Sequence, residues 1–387
     1  GSYVYVTGYY DNALAAFSRN ATSGELTYVQ VLQDGKFVDG LNRANSVAVS
    51  PDGSYVYVTG YYDNALAAFS RNATSGELTY VQVLQDGKFV DGLNRANSVA
   101  VSPDGSYVYV TGYYDNALAA FSRNATSGEL TYLQVQKDGV GGVDGLNGAN
   151  SVAVSPDGKH VYVTGYFDDA VAVFSRNATG GELMYVQVQK DGFGGVDGLH
   201  GANSVTVSPD GRRVYAAGFV DRAVAVFNRN TTSGELTYVH RLKDGVDGVD
   251  GLYGADSVTV SPDGKQVYAA GRIDDAVAVF NHRDALPGTH WFSVGAREIV
   301  NGVHFGNSPP QAGLGAISAQ GGDIVIEWAS SNGSYYLCEY TENLLDDPIV
   351  WYSLSTGWVQ AAGAFMGETD TNAWSRMQRF YRLRVKP

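Results

Sequence analysis

Cysteine occurs once, at Cys338, which excludes an internal disulfide framework and any multi-cysteine metal site. Charged residues make up only 17% of the 387, while 44% are hydrophobic and 27 are Tyr. Intrinsic disorder, which needs high charge and few aromatics, is therefore excluded. The helix formers Leu, Glu, Lys and Met are scarce beside Gly, Val, Tyr and Thr, which argues against a helical bundle. No apolar run approaches the roughly 20 residues that cross a bilayer, so no membrane-spanning helix is expected. Lys and Arg are outnumbered 26 to 40 by Asp and Glu, and the net charge of −14 disfavours nucleic acid and anionic lipid as partners. The chain opens at Gly1 rather than Met, from which upstream processing, trimming or truncation is expected.

What the sequence has in abundance is itself. Residues 1–52 and 53–104 are identical letter for letter, and diverged copies run 105–157, 158–210 and 211–263. A sixth copy begins at Gly264 and continues in altered form to about residue 294. Within a unit the apolar period is two. Ser46–Ser50 alternates and stops at Pro51-Asp52-Gly53; Tyr55–Thr59 breaks at Tyr62-Asp63-Asn64; Ala65–Phe69 ends at Asn72–Gly76; and Glu77–Val83 leads into a Gly/Asp link, Asp86 to Asn97. Four strands joined by tight turns make an antiparallel meander that cannot bury both faces alone, and radial stacking of copies solves that problem.

The fold expected is all-β: a β-propeller of about six four-stranded blades over 1–294, with a truncated seven-bladed ring as the other possibility. A strand and linker follow over 295–315, then a small β-sandwich over 316–387. The first unit starts at its second strand, so its innermost strand must come from a later segment or from upstream. All five Trp lie beyond residue 286, and strand-like runs fall at Asp323–Ala329, Tyr335–Tyr340, Trp351–Leu354, Ala364–Glu368 and Arg379–Val385.

The repeated Val-Ala-Val-Ser-Pro-Asp-Gly followed by His160-Val-Tyr-Val-Thr-Gly resembles the YVTN-type repeats of the lactonase-like β-propeller superfamily, and the tail resembles small C-terminal β modules of secreted bacterial proteins. The resemblance implies the propeller fold. Lactone hydrolysis is the activity it offers, by analogy alone. That chemistry needs different groups on different blades, one to activate water and another to stabilise the oxyanion.

The blades read instead as near-equivalent. Glu25, Glu77, Glu129, Glu182 and Glu235 hold one repeated place and read as solvated strand starters, and His160, His200, His240, His282 and His290 read as scattered surface histidines. No residue is assigned a catalytic role. The main expectation is therefore a non-catalytic extracellular or cell-surface scaffold, making multivalent contacts with a glycan or protein ligand; the alternative is a lactone hydrolase. The link and the second-to-third-strand turn share one face, so ligand contacts are expected from Asp34, Asp39, Tyr9, Tyr10, Asp138, Asp144, Asp191 and Asp197. Carboxylates spaced by Gly could also curl around calcium, although the EF-hand spacing is absent and turn chemistry explains them equally. No other cofactor is expected. Five of the six Asn-x-Ser/Thr sequons (Asn20, Asn72, Asn124, Asn177 and Asn230, beside Asn332) are the repeated turn.

Overall fold

The computed structural model of the chain describes residues 1–281 apart from Lys36 and Lys88, and beyond 281 a set of strands alone. Blade 1 holds β1 (Tyr3–Gly8), β2 (Ala13–Arg19) and β3 (Leu26–Gln33), and blade 2 holds β4 (Ala44–Val49), β5 (Tyr55–Gly60), β6 (Ala65–Arg71) and β7 (Leu78–Gln85). Blade 3 is β8 (Ala96–Val101), β9 (Tyr107–Gly112), β10 (Ala117–Arg123) and β11 (Leu130–Lys137). Blade 4 is β12 (Ala149–Val154), β13 (His160–Gly165), β14 (Ala170–Arg176) and β15 (Leu183–Lys190). Blade 5 is β16 (Ala202–Val207), β17 (Arg213–Gly218), β18 (Ala223–Arg229) and β19 (Leu236–Lys243), and blade 6 is β20 (Ala255–Val260), β21 (Gln266–Gly271) and β22 (Ala276–Asn281).

Strands follow chain order in every blade and pair antiparallel, and the described residues contain no helix. The innermost strands β4, β8, β12, β16 and β20 stand side by side in succession. The all-β propeller of six blades is thus the fold observed. Among the described residues nothing pairs with the free edge of β1, so the expected sharing of a later strand is not seen there. The fourth strand of blade 6, expected near Thr289–Val294, lies outside the described residues, as does the expected domain boundary at residue 294.

Local chemistry sets the turns. Ser50 Oγ donates to Asp52 Oδ1 at 2.6 Å, Ser54 N–H donates to the same oxygen at 2.8 Å, and Gly53 takes a φ of +71°. This positive φ is what the Pro-Asp-Gly tripeptide supplies. Asn72 Oδ1 accepts N–H bonds from Thr74 (2.9 Å) and Ser75 (3.1 Å), so the sequon asparagine serves its own turn.

Packing is between blades. Tyr57, Phe69, Tyr109 and Phe121 are wholly buried, and one core joins Leu66 and Ala68 of blade 2 to Val108 and Phe121 of blade 3. Burying one such ring stabilises by about 1.5–3 kcal/mol. A polar clasp recurs from blade 2 to blade 5. Arg123 of blade 3 donates to Asp52 Oδ2 (2.7 Å), Tyr57 Oη (2.9 Å) and the Gly105 carbonyl (2.8 Å), while Tyr57 itself donates to the Gly128 carbonyl (3.0 Å). Arg176 grips Asp104 in the same way, and Arg229 holds Asp157 at 3.0 Å.

A second unit, Asn281–Pro387, is separate in its packing. Its strands are β23 (Val300–Asn301), β24 (Leu314–Gln320), β25 (Asp323–Ala329), β26 (Tyr335–Thr341), β27 (Tyr352–Ser353), β28 (Val359–Gln360), β29 (Phe365–Asp370) and β30 (Phe380–Val385). They form two sheets, β23-β24-β25-β29 and one in which β27, β28 and β30 all pair with β26. The packing expected of a sandwich lies outside the described residues.

Candidate active site

The link after each outer strand folds back over the next blade because side chains of the link itself and of the two flanking turns cap its backbone. Asp34 Oδ1 accepts the Leu41 N–H at 3.0 Å, Asp63 Oδ2 accepts the Asn42 N–H at 2.9 Å, and Asn12 Oδ1 accepts the Arg43 N–H at 2.9 Å. Link and second-to-third-strand turn therefore share one face, as the sequence predicts. The structure divides the expected site residues into two groups on that face.

The carboxylates form one group. Asp34 and Asp39 meet Asp63, Asp138 and Asp144 meet Asp168, and Asp191 and Asp197 meet Asp221, with oxygens within 4.8 Å in each trio; Asp86–Asp91–Asp115 and Asp244–Asp250–Asp274 repeat the arrangement. Desolvation, and then the neighbouring carboxylates, push Asp63, Asp86 and Asp138 above the usual carboxylate range. The donor set suits a hard cation, but three trios already hold one of the chain's own. Lys137 Nζ lies 2.7 Å from Asp91, Lys190 Nζ is 2.7 Å from Asp144 and 3.4 Å from Asp168, and Lys243 with Arg241 serve Asp221 and Asp197. At the Asp34 trio the equivalent residue is Gln85, which carries no charge.

Tyr9 and Tyr10 form no part of these trios. They surround Arg43, whose guanidinium carbon is 5.0 and 4.5 Å from their ring centroids.

Nearer the axis the innermost strands carry a ladder that the sequence reading missed. Asn45 Nδ2 donates to both the carbonyl and Oδ1 of Asn97, each at 2.9 Å, and Asn97 and Asn150 repeat this toward Asn150 and Asn203. Asn203 Nδ2 donates at 2.8 Å to the carbonyl and at 2.9 Å to Oδ1 of Asp256. Four amides thus end on one half-buried carboxylate. The link residues just before the ladder differ too: Asn42-Arg43, Asn94-Arg95, Asn147-Gly148, His200-Gly201 and Tyr253-Gly254. The mouth is asymmetric, contrary to the equivalence read from the repeat. The signal was present in Gly254-Ala-Asp-Ser-Val258, the one unit that breaks Ala-Asn-Ser-Val.

His160 also departs from expectation. It is buried rather than superficial, with Nδ1 2.7 Å from Arg229 Nη2, and burial and then the Arg229 charge hold its pKa below the ordinary histidine value. It belongs to an interblade clasp. His200 is exposed in its link, and His282 and His290 lie outside the described residues. The repeated glutamates behave as expected: Glu77 is exposed and accepts a hydrogen bond from Ser75 Oγ at 2.9 Å.

A family model described as lactonase, 7-bladed β-propeller, matches residues 1–134, 97–194 and 196–287. A 6-phosphogluconolactonase of Enterobacter sp. (strain 638) is 24% identical over 266 residues, 67% of this chain and 71% of its own length. That of Bacillus subtilis (strain 168) is 26% identical over 242 residues, 59% of this chain and 63% of its own. Among solved structures, a putative 6-phosphogluconolactonase from Bacteroides fragilis gives a TM-score of 0.56 at 20% identity, covering 72% of this chain and 76% of that one. The periplasmic gluconolactonase of Pseudomonas aeruginosa gives 0.55 at 22%, covering 70% and 73%. These two structures share the fold. Together the family and the curated relatives overturn the expected non-catalytic scaffold, whose premise of equivalent blades fails at the mouth.

Proposed function

The chain belongs to the lactonase seven-bladed β-propeller family, and we propose that it hydrolyses a sugar lactone at the mouth lined by the asparagine ladder. The single observation that carries this reading is Asp256, the one carboxylate among five equivalent ladder positions. An ionised carboxylate there can take a proton from water as the water oxygen bonds to the lactone carbonyl carbon. Collapse of the tetrahedral anion breaks the ring C–O bond, and the proton returns from Asp256 to the leaving oxygen, giving the open hydroxy acid. The Asn203 amide holds one carboxylate oxygen, which fixes the side chain's orientation.

A cyclic sugar ester thus takes the place of the glycan or protein ligand expected from blade equivalence. No helix among the described residues is long and apolar enough to cross a membrane. An extracytoplasmic setting is part of the same proposal; the periplasmic gluconolactonase among the structural relatives supports it. The test is a panel of γ- and δ-sugar lactones followed by pH-stat. Turnover of at least one well above its spontaneous hydrolysis is expected, and a panel that hydrolyses only at the background rate contradicts the proposal.

A further inference from the structure

One place in the repeat spans the seam to the next blade, and it changes chemistry at blade 4. Tyr3, Tyr55 and Tyr107 hold it in blades 1 to 3, and His160 holds it in blade 4. The tyrosines donate their hydroxyls across the seam, to the carbonyls of Thr74, Thr126 and Thr179. Each ring packs against a glycine of the next blade, and that blade's arginine lies over it: Arg71 at 5.3 Å, Arg123 and Arg176 at 5.0 Å. A phenol takes up no proton near neutral pH, so these seams are blind to mild acid.

His160 fills the place differently. Its ring packs against Gly234 of blade 5 and bonds to the Ser233 carbonyl, while Nδ1 lies 2.7 Å from Arg229 Nη2. Arginine only donates, so Nδ1 must accept, and the imidazole is neutral with its proton on Nε2. His160 keeps 2% of its surface and the Arg229 side chain none. Arg229 also donates to Tyr162 Oη at 2.7 Å, to the Gly211 carbonyl at 2.8 Å and to Asp157 at 3.0 Å. The charged and titratable groups around the ring are thus Arg229 from blade 5, with Asp157, Lys159 and Tyr162 from blade 4. Arg176, on the strand beside His160, is engaged with Asp104 and the Gly158 carbonyl. Asp157 is already held by Arg229 and is a third exposed. A proton on Nδ1 removes the lone pair that Arg229 uses and sets two buried cations face to face.

We propose that His160 is an acid-operated latch on the seam between blades 4 and 5: neutral, it accepts the Arg229 hydrogen bond and keeps the seam closed; protonated, it expels that guanidinium and loosens this seam before the others. The Asn150–Asn203 step of the ladder crosses the same seam, so loosening reaches the mouth. The latch is independent of what the mouth hydrolyses. Its sign follows from burial and then the Arg229 charge, which hold the folded imidazole below its ordinary value. The unfolded chain binds the proton more tightly, so stability present above about pH 6.5 is lost as the pH falls below it.

The test follows wild type, His160→Tyr and His160→Gln between pH 7.5 and 5. The first variant gives blade 4 the residue of blades 1 to 3, and the second is uncharged throughout. All three chains share the same carboxylates, so differences in Tm isolate the latch. Over this range the wild type should lose about 2 °C or more relative to each variant. Hydrogen exchange read by mass spectrometry should show wild-type β13 and the turn over 230–235 losing protection in acid. The corresponding Tyr107 seam, β9 and the turn over 177–182, should keep its protection. A Tm difference that is constant with pH, or equal losses of protection at the two seams, overturns the latch. Should neither variant fold, exchange at the two wild-type seams decides alone.

Discussion

Blades 1 and 2 are a controlled comparison made by the gene itself, because residues 1–52 and 53–104 are identical. Tyr3–Gly8 in blade 1 is partly exposed along its length, while Tyr55–Gly60 in blade 2 is buried at every residue. Val6 keeps 46% of its surface and its copy Val58 none. Burial pushes the Tyr57 hydroxyl up to about 12; burial also raises its copy Tyr5, which is less enclosed. Arg123 holds Asp52, whereas its copy Arg71 stacks 5.3 Å from Tyr3 and has no carboxylate partner among the described residues. The letters are the same and the physics differs, so what stabilises a blade is its two neighbours.

The largest expected effect follows directly. Phe69→Ala should cost about 3–5 kcal/mol in urea unfolding, the range for a wholly buried ring, and Phe17→Ala distinctly less because Phe17 is only half-buried. Equal costs would show that the blades are held from within.

The clasp gives a smaller effect with a sign in pH. Burial alone would raise Asp52, but hydrogen bonds from Ser50, the Ser54 N–H and Arg123, together with the Arg123 charge, outweigh it and hold the carboxyl at about 2. A folded value below the unfolded one of about 3.9 means stabilisation that is full above pH 4 and lost as pH falls through about 2. Asp52→Asn should therefore cost stability at neutral pH, by about 1–2 kcal/mol given the half-exposed carboxylate, and flatten the acid limb of the stability curve. Asp263→Asn, at a more exposed carboxylate that keeps the Ser261 Oγ–H and Lys265 N–H bonds but has no arginine partner among the described residues, should change both in the same direction and by less.

The smallest effect concerns calcium. We expect any rise in Tm on adding it to come from the trios with no lysine or arginine partner among the described residues, Asp34–Asp39–Asp63, where Gln85 stands in the place of Lys137, Lys190 and Lys243, and Asp244–Asp250–Asp274. Differential scanning fluorimetry of Gln85→Lys should show that rise reduced. An unchanged rise would place the ion away from the Asp34 trio.

The fold was legible because period-two strands, Pro-Asp-Gly turns and Asn-x-Thr turns recur along the repeat, and repetition averages away local ambiguity. Repetition also hid the site. Reading for likeness passed over Asp256, Arg43 and Arg95; the repeat itself aligns Asp256 with Asn45, Asn97, Asn150 and Asn203, and the structure adds that these positions join in one hydrogen-bonded ladder. Tyr9 and Tyr10 lie on the face shared by link and turn, and their contact with Arg43 is one that no spacing encodes. His160 was misread because its position in the repeat is an interblade one, occupied by Tyr55 and Tyr107 in the preceding blades.

The most direct measurement is Asp256→Asn, which gives blade 6 the residue already carried by the four other ladder positions and so should leave Tm unchanged. Turnover of the best lactone should fall by about 10²–10⁴ in kcat, the contribution of a positioned general base, with KM little altered. A variant that melts and turns over like the wild type would contradict the assignment of Asp256 as the group that activates water.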